Sequence, residues 1–157
     1  MELDVQRQER IMAPLQLVWE EIDSLEQLLA KTPQISEFDI SPGGRTARGK
    51  ARLAWGPVKW TSGLEVEITD IQPPHRIAFS VDAPALEVRM DAVVEMTPVG
   101  QNETKIEYWG HLDVRHRMAG RMKGLFNEIA EDHAHGVVHR AKIKAEQRRL
   151  AQERLLK

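Results

Sequence analysis

The sequence contains no cysteine. That excludes disulfides, zinc–thiolate sites, iron–sulfur clusters and cysteine nucleophiles together, and it suits a reducing compartment. Aromatic residues make up only 5% of the chain, with a single tyrosine, so the position of each one carries weight. No apolar run approaches the roughly 18 residues of a membrane-spanning helix. The charged opening MELDVQRQER lacks the apolar core of a secretory signal. These absences predict a soluble, cytoplasmic protein. The motifs G-x-S-x-G, H-E-x-x-H, the phosphate-binding loop and G-x-G-x-x-G are missing too. No catalytic residue is assigned from the sequence, and no cofactor is expected.

The charge is unevenly placed. Residues 140–157 hold Arg140, Lys142, Lys144, Arg148, Arg149, Arg154 and Lys157 against Glu146 and Glu153, a net +5, in a chain of net charge −2. The body is therefore acidic, at −7, which argues against nucleic acid as a partner. The basic end reads as a helical extension over 141–157, either a solvated helix end or a contact for an anionic membrane or a protein partner, weakly amphipathic through Ile143, Leu150 and Leu155.

The length of 157 residues fits one domain. Glu2 to Ile11 alternates through Leu3, Val5 and Ile11 and predicts a strand. Pro14 suits the first turn of a short helix with Leu15, Val18, Trp19 and Ile22 on one face. Asp23-Ser24 can cap a second, through Leu25, Leu28 and Leu29, closed by Thr32-Pro33. Turn signals then cut residues 34–114 into six strands: 34–41, 45–55, 58–71, 75–82, 85–97 and 103–114. Short connections make neighbours antiparallel. If Gly56-Pro57 is a two-residue turn, Leu53 meets Trp60, Ala51 meets Ser62, Gly49 meets Leu64 and Ala47 meets Val66, with Arg48 opposite Glu65 on the other face. After His116 the period becomes 3.6, through Met118, Met122, Leu125, Phe126, Ile129, His133 and Val137, and predicts one long helix whose last turns project past the body.

Each strand has one apolar face, and the C-terminal helix is the element long enough to cover it. Twist deepens the concave side beyond what a straight helix fills. The expected cavity lining is Trp60, Ser62, Leu64, Val66, Phe79, Val81, Val88, Met90, Tyr108 and Leu112 from the sheet. From the helical segment it is Met118, Met122, Leu125, Phe126, Ile129 and His133. The small residues Ala47, Gly49, Ala51, Ser62 and Gly110 leave room for a guest. Arg7 and Glu9 belong to the inward set by period, and Trp55 and Trp60 stand at the expected mouth. Trp109 falls on the outer face. Glu131, His135 and His139 share a helix face at i, i+4 and i+8, a spacing that a metal could use. A charged solvent face explains them as well, and no metal is expected.

The order strand, two short helices, six strands, long helix resembles the helix-grip fold of the START/Bet v 1-like (SRPBCC) superfamily. Residues 11–29, IMAPLQLVWEEIDSLEQLL, carry its opening pattern through Ile11, Ala13, Pro14, Val18, Trp19, Ile22 and Asp23. Residues 63–77, GLEVEITDIQPPHRI, resemble its later pattern around the paired prolines. The likeness is greatest to the polyketide cyclase/dehydrase-type branch and to the branch named for a small carbon monoxide dehydrogenase component. It covers about 3–140, which reads as the ligand-binding domain (1–140), with the basic extension outside it. The resemblance implies an α+β fold, a curved seven-stranded antiparallel sheet around a long C-terminal helix. It further implies a cavity for a lipid, quinone or polyketide-like molecule. A non-enzymatic binder is one reading. The alternatives are a cyclase or dehydratase, in which Tyr108, His133 or an inward Arg or Glu moves a proton, and a co-chaperone-like interaction domain.

Overall fold

The computed structural model describes residues 1–30, 35–55, 57–117 and 119–156, without the side chains of Trp55, Val58 and Trp60. Seven strands form one antiparallel sheet: β1 (Glu2–Ile11), β2 (Ile35–Ile40), β3 (Thr46–Trp55), β4 (Val58–Gln72), β5 (Arg76–Ala83), β6 (Val88–Gly100) and β7 (Glu103–Val114). Their order is β1-β7-β6-β5-β4-β3-β2, so the first strand closes beside the last and the rest follow as a meander. Helices α1 (Leu15–Trp19) and α2 (Leu25–Leu29) lie between β1 and β2, and α3 spans Lys123–Leu155. This is the helix-grip arrangement expected from the sequence.

The β3–β4 register agrees with the turn-based pairing at every expected position: Leu53 opposite Trp60, Ala51 opposite Ser62, Gly49 opposite Leu64 and Ala47 opposite Val66. On the wet face Arg48 Nε lies 3.5 Å from Glu65 Oε1. Alternation persists because one face is buried, and a slip of one residue would expose the whole apolar set. In β7 it is complete: Thr104, Ile106, Tyr108, Gly110, Leu112 and Val114 are buried while their neighbours are partly exposed. Ser24 caps α2, its Oγ accepting from the Gln27 N–H at 3.3 Å. The Thr32-Pro33 stop and the central glycine of the Gly56-Pro57 turn lie outside the described residues.

Three local readings are corrected. The strand expected from 85 begins at Val88, because Pro84–Leu86 form a 3-10 turn that ends on Glu87 in the left-handed region (φ 52°). Pro84, with its fixed φ and missing N–H, suits the first position of that turn. The helix expected after His116 begins at Lys123; before it, Ala119 N–H bonds His116 O and Met122 N–H bonds Ala119 O, as tight turns. Gly120 lies in these turns, and glycine is a poor helix former. Finally, α3 does not leave the body at 140. Ala141 and Ala145 are fully buried, and their small side chains let the helix approach closely. Lys142 Nζ donates to Arg10 O (3.0 Å), Met12 N–H donates to Glu146 Oε2 (2.8 Å) and Arg149 donates to Met12 O (3.0 Å). Arg148 pairs with Glu20. The exposed end begins at Leu150.

Two of the small residues expected to make room do something else. A Cβ on Gly110 would meet Val5 Cγ1 at 2.8 Å and Tyr108 Cε1 at 3.1 Å; one on Gly49 would meet Phe38 Cβ at 3.0 Å. Their space is already taken by neighbouring side chains. Gly110→Ala should therefore overpack the β1–β7 pair and lower the unfolding free energy by about 1–3 kcal/mol. Urea denaturation reads this directly, and an unchanged midpoint would contradict it.

Candidate functional site

Between the sheet and the first three turns of α3 lies a cavity of about 110 Å³. The sheet contributes Ile35, Ala51, Leu53, Leu64, Phe79, Val81, Ala83, Val88, Met90 and Leu112; α2 contributes Leu29, and the 84–86 turn Leu86. Helix α3 contributes Phe126, Ile129, Ala130 and His133, at spacings of three and four on its inner face. All are apolar except His133. Ile35, Val81, Leu86, Val88 and Ile129 keep partial exposure and mark where the cavity meets solvent. A cavity of ~150 Å³ with similar walls holds a benzene ring in another protein, so this volume suits one ring or a few methylenes. A larger guest needs the walls to give.

The structure brings nine of the expected lining residues to this cavity: Leu64, Phe79, Val81, Val88, Met90, Leu112, Phe126, Ile129 and His133. Val66, Tyr108 and Met122 are instead buried in the core beside it, and Leu125 packs against that core while partly exposed. Ser62 is buried with its hydroxyl donating to Gly63 O at 2.9 Å. Met118 and the side chain of Trp60, with the expected Trp55–Trp60 mouth, lie outside the described residues. Of the five small residues, Ala51 is the one at the cavity wall. Sequence reasoning missed Leu29, Ile35, Leu53, Ala83, Leu86 and Ala130 as lining. The period-two run 77, 79, 81 extended to 83 pointed to Ala83, and the helical step from Phe126 pointed to Ala130.

The polar group at the wall is tied up. Tyr108 is fully buried, and burial pushes its phenol pKa up, so it stays protonated and is the donor. Its hydroxyl lies 2.9 Å from His133 Nδ1. With Nδ1 the acceptor, the proton of the neutral ring sits on Nε2, and the nearby Leu28 backbone favours the protonated ring. The rings of Phe79 and Tyr108 meet His133 edge-on at 5.9 and 5.8 Å. Breaking such a buried pair strands a polar atom, at a cost of about 1–3 kcal/mol. The Tyr108–His133 bond thus pins sheet to helix and presents an apolar surface to the cavity.

The remaining candidates disperse. Arg7 and Glu9 sit on the edge strand, exposed, and face α3 as ion pairs: Arg7 with Glu131 (3.2 Å) and Glu9 with Lys142 (3.8 Å). His135 and His139 stack at 5.1 Å. Among the described residues no group of three side chains is placed to hold a metal. Trp109 is half-buried on the outer face, in a shallow groove with Val93 and His111. His111 Nδ1 lies 2.6 Å from Asp4 Oδ1, a hydrogen bond that raises its pKa above the usual value. Among the described residues no helix is long and apolar enough to cross a membrane.

Burial lowers the His133 pKa from 6.5 to about 4, with the Leu28 backbone bond acting the other way. The unfolded chain takes up this proton near pH 6.5 and the folded chain only near 4. The contribution to stability is complete above about pH 6.5, falls as the pH drops toward 4 and is gone below it, a loss of about 3 kcal/mol. Denaturant unfolding across this window should show the loss in the native chain. His133→Gln, which does not titrate, should lack that component; identical pH dependence in the two proteins would contradict the neutral buried imidazole.

Comparison with known proteins agrees with this geometry. Residues 2–153 match the family described as polyketide cyclase/dehydrase and lipid transport, so the shared pattern runs through most of the basic end of α3 rather than stopping near 140. No curated protein matches the sequence. Among solved structures, a conserved protein from Geobacillus kaustophilus is similar with a TM-score of 0.68 at 17% identity, covering 88% of this chain and 95% of its own. The Zhui aromatase/cyclase from Streptomyces sp. R1128 gives 0.63 at 13%, covering 90% and 94%. A norcoclaurine synthase mutant from Thalictrum flavum gives 0.57 at 12%, covering 89% and 96%. At these identities the likeness establishes the fold. Sheet order, the helix-grip cover and the family match together place the chain in the polyketide cyclase/dehydrase and lipid transport family of the START/Bet v 1-like superfamily.

Proposed function

We propose that this protein binds or carries a small apolar molecule, of lipid, quinone or polyketide-like character, between the sheet and α3. The observation that supports this reading is the cavity wall, apolar apart from a histidine whose Nδ1 is held by the buried Tyr108 hydroxyl. Binding there draws on buried apolar area, at about 25 cal/mol per Å² before ordering costs. Met90 supplies an adaptable wall, and the half-exposed Leu86 and Val88 flank the 84–86 turn, where the wall can give. A second reading, a cyclase or dehydratase using the same cavity, rests on His133 alone: its neutral Nδ1 is an acceptor that would serve as a base once Tyr108 turned away. The closed Tyr108–His133 bond favours the binder.

Ala130→Leu puts bulk into the cavity from a rigid helix and tests the binder directly. It should weaken binding of a fluorescent apolar probe such as N-phenyl-1-naphthylamine by about tenfold, roughly 1.4 kcal/mol, while thermal melting shows the fold intact. Organic extraction of the purified native chain should also yield an apolar compound that the variant retains poorly. Equal probe affinity in both proteins would remove the cavity as the binding site.

A further inference from the structure

One stretch beside the cavity carries charge of one sign, next to a rim that also holds Glu87. Residues 115–123 carry Arg115, His116, Arg117, Arg121 and Lys123 and no acidic residue. The structure ties both ends of this stretch to the mouth. Arg115 N–H donates to Glu87 O at 2.9 Å, beside the half-exposed Leu86 and Val88. At the other end Met122 O accepts from the N–H of Phe126, a wall residue. Between them Ala119 and Met122 turn inward and are buried, while Arg117, Arg121 and Lys123 are exposed. Arg115 pairs with Asp113. Arg117, Arg121 and Lys123 have no ion-pair partner among the described residues. The helix that starts here has neither a side-chain cap nor an acidic residue in its first turn, so its own positive end adds to theirs.

The basic C-terminal end is different. Lys142, Arg148 and Arg149 hold α3 to Glu9, Glu20 and backbone carbonyls, and are spent there. The unpaired positive charge of the molecule's ligand-facing side therefore lies at the mouth. Inside, no wall residue offers a free donor to a charged group, and burying an unpaired charge there is costly. A ligand with a charged head must leave it outside.

Resting on the binding reading above, we infer that the ligand is an anionic amphiphile, a carboxylate on an apolar tail. It enters tail first and leaves its head against Arg117, Arg121 and Lys123. Octanoate and octanol share a tail and differ in the head, and calorimetric titration of the full chain with each at low salt separates the two contributions. The native protein should prefer octanoate by about tenfold. The triple variant R117Q/R121Q/K123Q should bring that preference to about one, while K144Q/R154Q, which removes charge from the far end of α3, should keep it. Equal affinities in the native chain, a preference that survives the triple variant, or one lost equally in the far-end variant would each overturn the head-group assignment. Octanol binding without preference leaves the cavity reading standing; failure of both probes to bind overturns that reading and this one with it.

Discussion

A straight helix cannot fill a curved sheet. Each strand turns by roughly 20–25° against its neighbour, and here seven strands in one antiparallel order leave their apolar faces to a single long helix. Where α1 packs against α3, buried side chains such as Ile11, Val18, Trp19 and Ile106 fill the space. Under the first turns of α3 only Leu29 of α2 and Leu86 of the 84–86 turn join the sheet, and the cavity is what remains. The site is a consequence of how the layers mate, not of any one residue.

That geometry explains why the helix is fixed so firmly at its far end. Ala141 and Ala145 bring it close to the sheet, and Lys142, Glu146, Arg148 and Arg149 bond it to β1 and the segment beyond. Surface ion pairs contribute little singly, but three of these side chains also bond backbone groups of Arg10 and Met12. Nearer the cavity the tie is the Tyr108–His133 bond. The helix is held at its middle and C-terminal half, while its first turns cover the cavity between half-buried residues. A guest larger than about 110 Å³ would be admitted there.

Most of the fold was legible because burial on one face imposes a period of two on strands such as β6 and β7, and the β3–β4 register could be read from one turn. What was not legible has local causes. Pro84 and Glu87 break the start of β6 through backbone geometry that no hydropathy pattern carries. The end of α3 read as detached because alanine gives a weak apolar signal, although Ala141 and Ala145 are among the most buried residues. At the site, periodicity shows which face a residue occupies but not how deep it sits. Val66 and Phe79 have the same inward phase, yet one is core and the other cavity wall. Glycine misled for a related reason: Gly49 and Gly110 allow neighbours in rather than leaving space.

The family, the fold and the apolar wall converge on a hydrophobic ligand-binding fold. On the proposed function, an apolar guest lodges between the sheet and the first turns of α3. Methyl-resolved NMR during titration with an apolar aromatic such as naphthalene tests it most directly. The account predicts shifts concentrated on Leu64, Val81, Met90 and Ala130, with Val93 on the outer face unmoved. Shifts centred on the Trp109 groove, or none at the cavity wall, would contradict it.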